Sequence, residues 1–349
     1  MTKQLFSTPA TKWVPSGHRR GLRLFGLVLA AALPAAAMSA QQPATPPAAP
    51  STQTPAAQQT AAQPAEQADV STPTIKLGVN EVNLIFTVTD KHGHYNPNLQ
   101  QSDFALLDNG KAPAKVISFR QQINLPLRVG IVIDASTSIR TRFQFEQQSA
   151  TEFLIQILKT KSDRAFVMGF DVTPTVTQDW TNNIDALETG VNRLRPGGGT
   201  ALFDAVYTAC RDKLLSERGP EPVRKAIVLL SDGDDNQSRV YPDEAIKECQ
   251  RAETIIYAIS TNWTPSRGKG DEVLARMATE TGGQVFFPPS VEEMSNSFHG
   301  IEEELRSQYA LYYTPADFKA DGAFRPIYLF CNDRRYQARA RKGYFAPRQ

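Results

Sequence analysis

Along the chain the spacing of apolar residues changes period, and each change marks a different kind of element. Ile75, Leu77 and Val79 alternate with polar neighbours, and Val82, Leu84, Phe86 and Val88 repeat the alternation. A period of two puts one face of a strand on a core and the other in water. Turn residues follow at 90–93 and at Asp108-Asn109-Gly110, with Phe104, Leu106, Val116, Ile117 and Phe119 between and after them. Segment 71–122 is therefore predicted to be a small antiparallel β module, marginal on its own.

From 125 to 305 the pattern becomes one of strand-like runs separated by helical stripes. The runs 127–133, 165–170, 175–180, 226–230, 254–259 and 284–287 read as strands. The first is almost wholly apolar, as expected of a strand buried on both faces. Helices are predicted with Ala150, Phe153, Leu154, Ile157 and Leu158 on one face, at 183–194, 201–215, 242–252 and 271–280, and around Met294, Phe298, Ile301 and Leu305. Such alternation predicts a doubly wound, Rossmann-like α/β fold, a mostly parallel sheet with helices on both faces. Strand character returns in 306–349, at 309–314, 324–330 and 336–341. These strands come too late to extend the α/β order, and pairing with 71–122 is the economical arrangement.

Two N-terminal stretches carry different information. Residues 41–70 are mostly Pro, Ala, Gln and Thr, too poor in large apolar side chains to offset the entropy of ordering, and are predicted to be a disordered linker. In residues 1–40 the basic stretch His18 to Arg23 precedes an apolar run at 24–32 and small residues at 35–40. That run is shorter than the roughly 20 residues of a membrane span, and its small-residue end suits signal peptidase. The expectation is export through a signal peptide to a secreted or periplasmic location, with membrane contact only if the segment stays uncleaved. The whole-chain charge of +2 changes meaning on removal of this segment. It holds five of the 38 basic residues and none of the 36 acidic ones, leaving about −3. Nothing in that balance points to nucleic acid.

Three cysteines leave one odd thiol whatever the pairing. Cys210 and Cys249 fall on inward helical stripes and read as small buried hydrophobes, with a Cys210–Cys249 disulfide as the alternative.

Ligands of open α/β sheets bind beyond the carboxyl ends of the strands, and three polar clusters fall where that edge is predicted. Asp134-Ala135-Ser136-Thr137-Ser138 leaves the first α/β strand, Gly197-Gly198-Gly199-Thr200 precedes a helix, and Ser231-Asp232-Gly233-Asp234-Asp235 leaves the fourth strand. Hydroxyl and carboxylate oxygens without Cys or His suit a hard divalent cation, Mg²⁺ first, with Mn²⁺ or Ca²⁺ also accommodated. The clusters, in this order and on these elements, resemble the signature of the von Willebrand factor type A domain. The flanking pieces and the ending Arg341-Lys342-Gly343-Tyr344 resemble a secreted bacterial family related to it. The resemblance implies a metal-ion-dependent adhesion site, with hydroxyl ligands from Ser136, Ser138 and Thr200 and direct or water-mediated ligands from Asp134 and Asp232. It also implies adhesion, in which a carboxylate of a protein partner completes the metal shell.

Other readings use the same residues. Asp134 and Asp232 can serve as helix caps, with the serines satisfying turns. Asp232, Asp234, Asn236, Ser238 and Asp243 mimic an EF-hand calcium loop, but Gln237 stands where the turn needs Gly and a strand precedes the loop. Asp234 and Asp235 then read as a solvated loop rim. His92 and His94 read as an exposed turn, and His299 lies beside the stripe of the last helix. No Ser-His-Asp or Cys-His arrangement can be placed at the sheet edge. A binding module is therefore expected, with a metal-independent envelope scaffold as the alternative and a metal-assisted hydrolase, with Asp171 or Asp235 as base, behind it.

Overall fold

The structure is a computed structural model that describes residues 80–348 except 97, 122–124, 218–221, 265 and 291–292. The predicted signal peptide (1–40), the linker (41–70) and the alternation at Ile75, Leu77 and Val79 lie outside the described residues.

Strands β1 (Val82–Asp90), β2 (Phe104–Asp108) and β3 (Lys115–Gln121) precede the alternating region. That region contains β4 (Leu127–Asp134), α1 (Phe143–Ile157), β5 (Arg164–Phe170), β6 (Pro174–Thr181), α2 (Ile184–Arg193), α3 (Leu202–Thr208) and β7 (Arg224–Ser231). It continues through α4 (Pro242–Arg251), β8 (Thr254–Ser260), α5 (Lys269–Thr281), β9 (Val285–Phe286) and α6 (Met294–Arg306). Strands β10 (Tyr309–Thr314), β11 (Phe324–Cys331), β12 (Tyr336–Ala340) and β13 (Gly343–Phe345) close the chain.

The central sheet has the order β6-β5-β4-β7-β8-β9 and is parallel except for the antiparallel edge strand β6. Residues of one parity along the strands, among them Val129, Ile131, Val167, Val228 and Tyr257, pack with Phe153 of α1, Leu187 of α2 and Phe298 of α6. Residues of the other parity, among them Val132, Phe166, Met168, Leu229 and Ile256, pack with Val206 of α3, Ile246 of α4 and Leu274 of α5. Burial of both faces is the physical reason these strands are almost continuously apolar. The segment predicted as one helix over 201–215 is divided: α3 ends at Thr208 and the chain runs on as a π-helical turn from Ala209 to Leu214.

The flanking strands form two antiparallel sheets rather than one, of order β12-β1-β10-β3 and β13-β11-β2. They share a core that includes Val82, Leu84, Phe86, Leu106, Leu311, Tyr313 and Ile327. Buried Asp108 of β2 joins the sheets by accepting hydrogen bonds from the hydroxyls of Tyr313 (2.8 Å) and Tyr344 (3.0 Å).

This β part is tied to α6 through Glu304, whose side chain is fully buried. Thr87 of β1 donates to its Oε1 at 3.2 Å, and Arg339 of β12 donates to its Oε2 at 2.7 Å. Arg341, itself buried, donates to the Asn83 carbonyl and pairs with Glu253. Arg339 and Arg341 are thus both ion partners of acidic residues carried by other elements.

Cys210 and Cys249 form a disulfide with their Cα atoms 5.0 Å apart, and Cys331 is free. This corrects the reading of two separate buried thiols. Position on an inward stripe is the same for a packed thiol and for half of a bridge, so the stripe alone could not separate them.

Candidate metal site

β4 ends on Asp134 at the carboxyl edge of the sheet, fully buried between its neighbours β5 and β7. Its Oδ1 accepts the backbone N–H of Ser136 at 2.8 Å, and its Oδ2 accepts the Ser231 hydroxyl at 2.8 Å. From there a hydrogen-bonded chain runs outward. Ser136 Oγ and Ser138 Oγ are 2.9 Å apart, and Ser138 Oγ donates to Asp232 Oδ2 at 3.2 Å. The other Asp232 oxygen accepts the Asp234 N–H at 3.2 Å. Four of the five predicted site residues are therefore linked side chain to side chain or through one backbone amide.

The fifth, Thr200, is brought to the same edge by its backbone. Gly197 N–H donates to the Ala135 carbonyl at 2.8 Å, and Thr137 Oγ1 donates to the Gly198 carbonyl at 3.0 Å. Thr200 N–H donates to Asn236 Oδ1 at 2.9 Å, while its carbonyl accepts the N–H groups of Asn236 and Gln237. The three loops predicted to converge are thus bonded to one another, with Thr200 almost fully buried between them.

Glycine is required at two places in this arrangement. Gly198 and Gly233 hold φ of +68° and +80°, in the left-handed region. At Gly233 a Cβ would also lie 2.1 Å from the Gly270 carbonyl oxygen. The start of α5 packs that closely on the loop carrying Asp232. Its position is fixed by buried Asp271, which accepts the Ser260 hydroxyl, the Asn262 amide and the Gly268 N–H.

Several loop residues have other roles. Asp235 is not a free rim residue: its carboxylate accepts the Phe203 N–H at 3.2 Å at the start of α3, as well as the Ser238 hydroxyl. Asp234 is exposed. The EF-hand-like set is dispersed, since Asn236 binds Thr200, Ser238 binds Asp235, and Asp243 pairs with Arg276. Asp171 uses its carbonyl to accept Ala201 N–H and a carboxylate oxygen to accept Thr173 N–H.

Electrostatically the site is short of positive charge. Burial pushes the Asp134 carboxyl up to about 6, against hydrogen bonds from Ser136 and Ser231 that favour its ionised form, and the Asp232 charge adds to the rise. A third carboxylate escaped the sequence reading. Glu146, one turn into α1, is fully buried, and its carboxyl is pushed up to about 8 by burial. Arg142 opposes that rise, and the Asp134 and Asp232 charges reinforce it.

The donor set fits a hard cation: two serine hydroxyls, a threonine and two carboxylates, with a buried acidic charge behind them and no lysine in the hydrogen-bonded chain. Among the described residues no group of three or more His, Cys, Asp or Glu side chains converges as a metal site. Hydroxyl oxygens would therefore have to complete any shell here. His92 and His94 lie in an exposed turn where His94 pairs with Asp90, and His299 pairs with Glu302 and Glu303. Neither group adjoins a nucleophile among the bonds of the site.

Comparison with known proteins identifies the central region. Residues 129–300 match the family model of the von Willebrand factor type A domain. A UPF0353 protein of Mycolicibacterium gilvum is 24% identical over 202 residues, covering 51% of this chain and 60% of the relative. The human von Willebrand factor A domain-containing protein 3B is 27% identical over 163 residues, covering 45% of this chain and 11% of that protein. The chain thus spans about three fifths of the first of these relatives. Among solved structures, proximal thread matrix protein 1 of the mussel byssus is similar with a TM-score of 0.46 at 20% identity, covering 55% of this chain and 49% of its own. A von Willebrand factor type A structure from Catenulispora acidiphila is similar with a TM-score of 0.44 at 16% identity, covering 72% and 74%.

Proposed function

Because residues 129–300 belong to the von Willebrand factor type A family, whose domains generally mediate protein–protein interactions, we propose that this chain is an exported, metal-dependent protein-binding module. Ser136, Ser138 and Thr200 are its hydroxyl ligands, and Asp134 and Asp232 its carboxylates. The observation that carries this reading is the hydrogen-bonded chain Asp134–Ser136–Ser138–Asp232 at the carboxyl edge of the sheet. Mg²⁺, when bound, supplies an electrophilic position for a carboxylate of the partner protein.

The protein's own residues perform the remaining tasks. Asp134 and Ser231 hold the base of the site rigid through a buried bond. Thr137 and Ala135 anchor the 197–198 backbone to the first loop, and Gly199 lets it pass close to Asn236 and Gln237, where a Cβ would lie 2.6 Å from the Gln237 side chain. Asn236 orients the Thr200 segment through its amide. Export is supported by the basic and apolar order of residues 1–40 and by the Cys210–Cys249 bridge, since disulfides persist in oxidising compartments.

The test is capture of partners from the cell-envelope fraction on the immobilised chain, in Mg²⁺, in EDTA, and with Asp134→Ala. Recovery that needs Mg²⁺ and disappears in the variant is the expected result. Recovery indifferent to EDTA overturns the proposal in favour of a metal-independent scaffold, and conversion of a captured component overturns it in favour of a hydrolase.

A further inference from the structure

Helix α1 buries Phe143, Glu146, Ser149, Ala150, Phe153, Leu154 and Ile157. That is the spacing of one helical face, and five of the seven are apolar. Glu146 occupies the position one turn from the start of the helix. It lies at the end nearest the loop 135–142, by which the chain leaves Asp134. A carboxylate placed in a core stripe needs partners, because burying a charge without them is costly.

Glu146 has no hydrogen-bonded partner among the described residues. Both carboxylate oxygens are buried and accept no hydrogen bond. Arg142 Nε stands 3.7 Å from Oε1, beyond hydrogen-bond reach, and is itself unpartnered. The Arg142 guanidinium is instead stacked 4.4 Å over the ring of Trp263. The charges that act on Glu146 besides Arg142 are those of Asp134 and Asp232. Glu146 thus faces one arginine and the charges of two further carboxylates, and both of its oxygens are without a hydrogen bond among the described residues.

We infer that Glu146 is a positioning residue of the metal site, whose buried carboxylate accepts hydrogen bonds from the hydration shell of a bound divalent cation and contributes to its charge balance. This rests on the metal-binding reading of Asp134, Ser136, Ser138, Thr200 and Asp232. A role as counter-ion to Arg142 predicts a hydrogen-bonded pair, which the 3.7 Å separation does not provide. A role in packing is served better by an apolar side chain of similar volume. Carboxylates that hold outer partners of a metal site usually change affinity 10- to 100-fold when altered, by the behaviour of such residues generally.

The experiment titrates the full chain with Mg²⁺ alone, by calorimetry at pH 8, for the wild type, Glu146→Gln, Glu146→Leu and Asp134→Ala. Melting temperatures are recorded in EDTA alongside. For Glu146→Gln the expected outcome is at least a roughly tenfold weaker Mg²⁺ affinity, with a melting temperature in EDTA equal to or above the wild type. Glu146→Leu keeps the proposal testable if the glutamine variant folds poorly, and the same pair of changes is expected of it. Mg²⁺ affinity within twofold of the wild type overturns the inference while leaving the metal site standing. A lowered melting temperature in EDTA with unchanged affinity also overturns it, as the mark of a purely structural ion pair. A wild type that binds no Mg²⁺ removes the metal reading itself, and this inference with it.

Discussion

Arg339→Met removes the only cation that, among the described residues, is bonded to the buried Glu304 carboxylate, and the cost of that change follows from the contacts. Glu304 is fully buried, and Arg339 is 22% exposed. Without Arg339, Glu304 keeps the Thr87 hydroxyl at 3.2 Å, the long 3.4 Å contact with the Tyr95 hydroxyl and the hydrogen bond of the Tyr257 hydroxyl. None of these supplies charge. Burial already pushes the Glu304 carboxyl above its usual range, and Arg339 opposes that. Breaking one side of a buried pair typically costs about 3–5 kcal/mol, and the partial exposure of Arg339 places this case near about 3 kcal/mol. For a folded region of this size such a loss lowers the melting temperature by on the order of 10 °C. Urea unfolding followed by circular dichroism measures it. Glu304→Gln with Arg339→Met should recover most of the loss, since no buried charge is then left unpaired. A single variant within about 0.5 kcal/mol of the wild type, inside the ordinary range of surface changes, would refute the claim that this pair fastens the flanking β strands to α6.

Other perturbations follow from the same contacts. Denatured, unreduced protein should show one free thiol by titration, Cys331, and three free thiols would exclude the bridge. Removing the bridge with Cys210→Ala and Cys249→Ala should cost up to about 4 kcal/mol in urea, from a sequence separation of 39 residues and chain-entropy scaling. Gly233→Ala should abolish any stabilisation by Mg²⁺, because the added Cβ meets the Gly270 carbonyl and the Asp232 loop must move. A Mg²⁺ response equal to the wild type would show that the loop's position is not needed. In EDTA the protein should lose stability as pH rises. The folded-state values of Asp134 and Glu146 are raised to about 6 and about 8 from 3.8 and 4.5. Their contribution is thus fully present below about pH 4 and lost between there and about pH 8. Thermal melts across that window test it, and a metal-free melting temperature that climbs throughout would contradict it.

The alternation of buried strands and helical stripes was legible because β4, β7 and β8 are covered on both faces, which makes their sequences almost continuously apolar. Strand order was not, since Val129 and Val228 look the same whichever strands lie beside them. The period of two in Val82, Leu84, Phe86 and Val88 marked a strand but named no neighbour. The separation of β2, β11 and β13 into their own sheet therefore emerged only in three dimensions. At the site, the polar clusters leaving β4 and β7 and preceding α3 could be placed at the sheet edge from the pattern, while the choice of Asp134, Ser136, Ser138, Thr200 and Asp232 within them rested on resemblance to the von Willebrand factor type A signature. Neither route singled out Glu146 or Ser231. A single acid in a helical stripe usually marks the solvent side, and a serine ending a strand usually marks a turn. The one available signal was that Glu146 keeps the spacing of Phe143, Ala150 and Phe153.

The central claim is that the Asp134–Ser136–Ser138–Asp232 chain, with Thr200 beside it, holds a divalent cation. Calorimetric titration of the purified, chelator-stripped chain with Mg²⁺ tests it most directly, with Asp134→Ala as the control. One saturable site per chain in the wild type, lost in Asp134→Ala while that variant retains its fold by circular dichroism, is the predicted result. Absence of a saturable site in the wild type, or an equal one in Asp134→Ala, would contradict it.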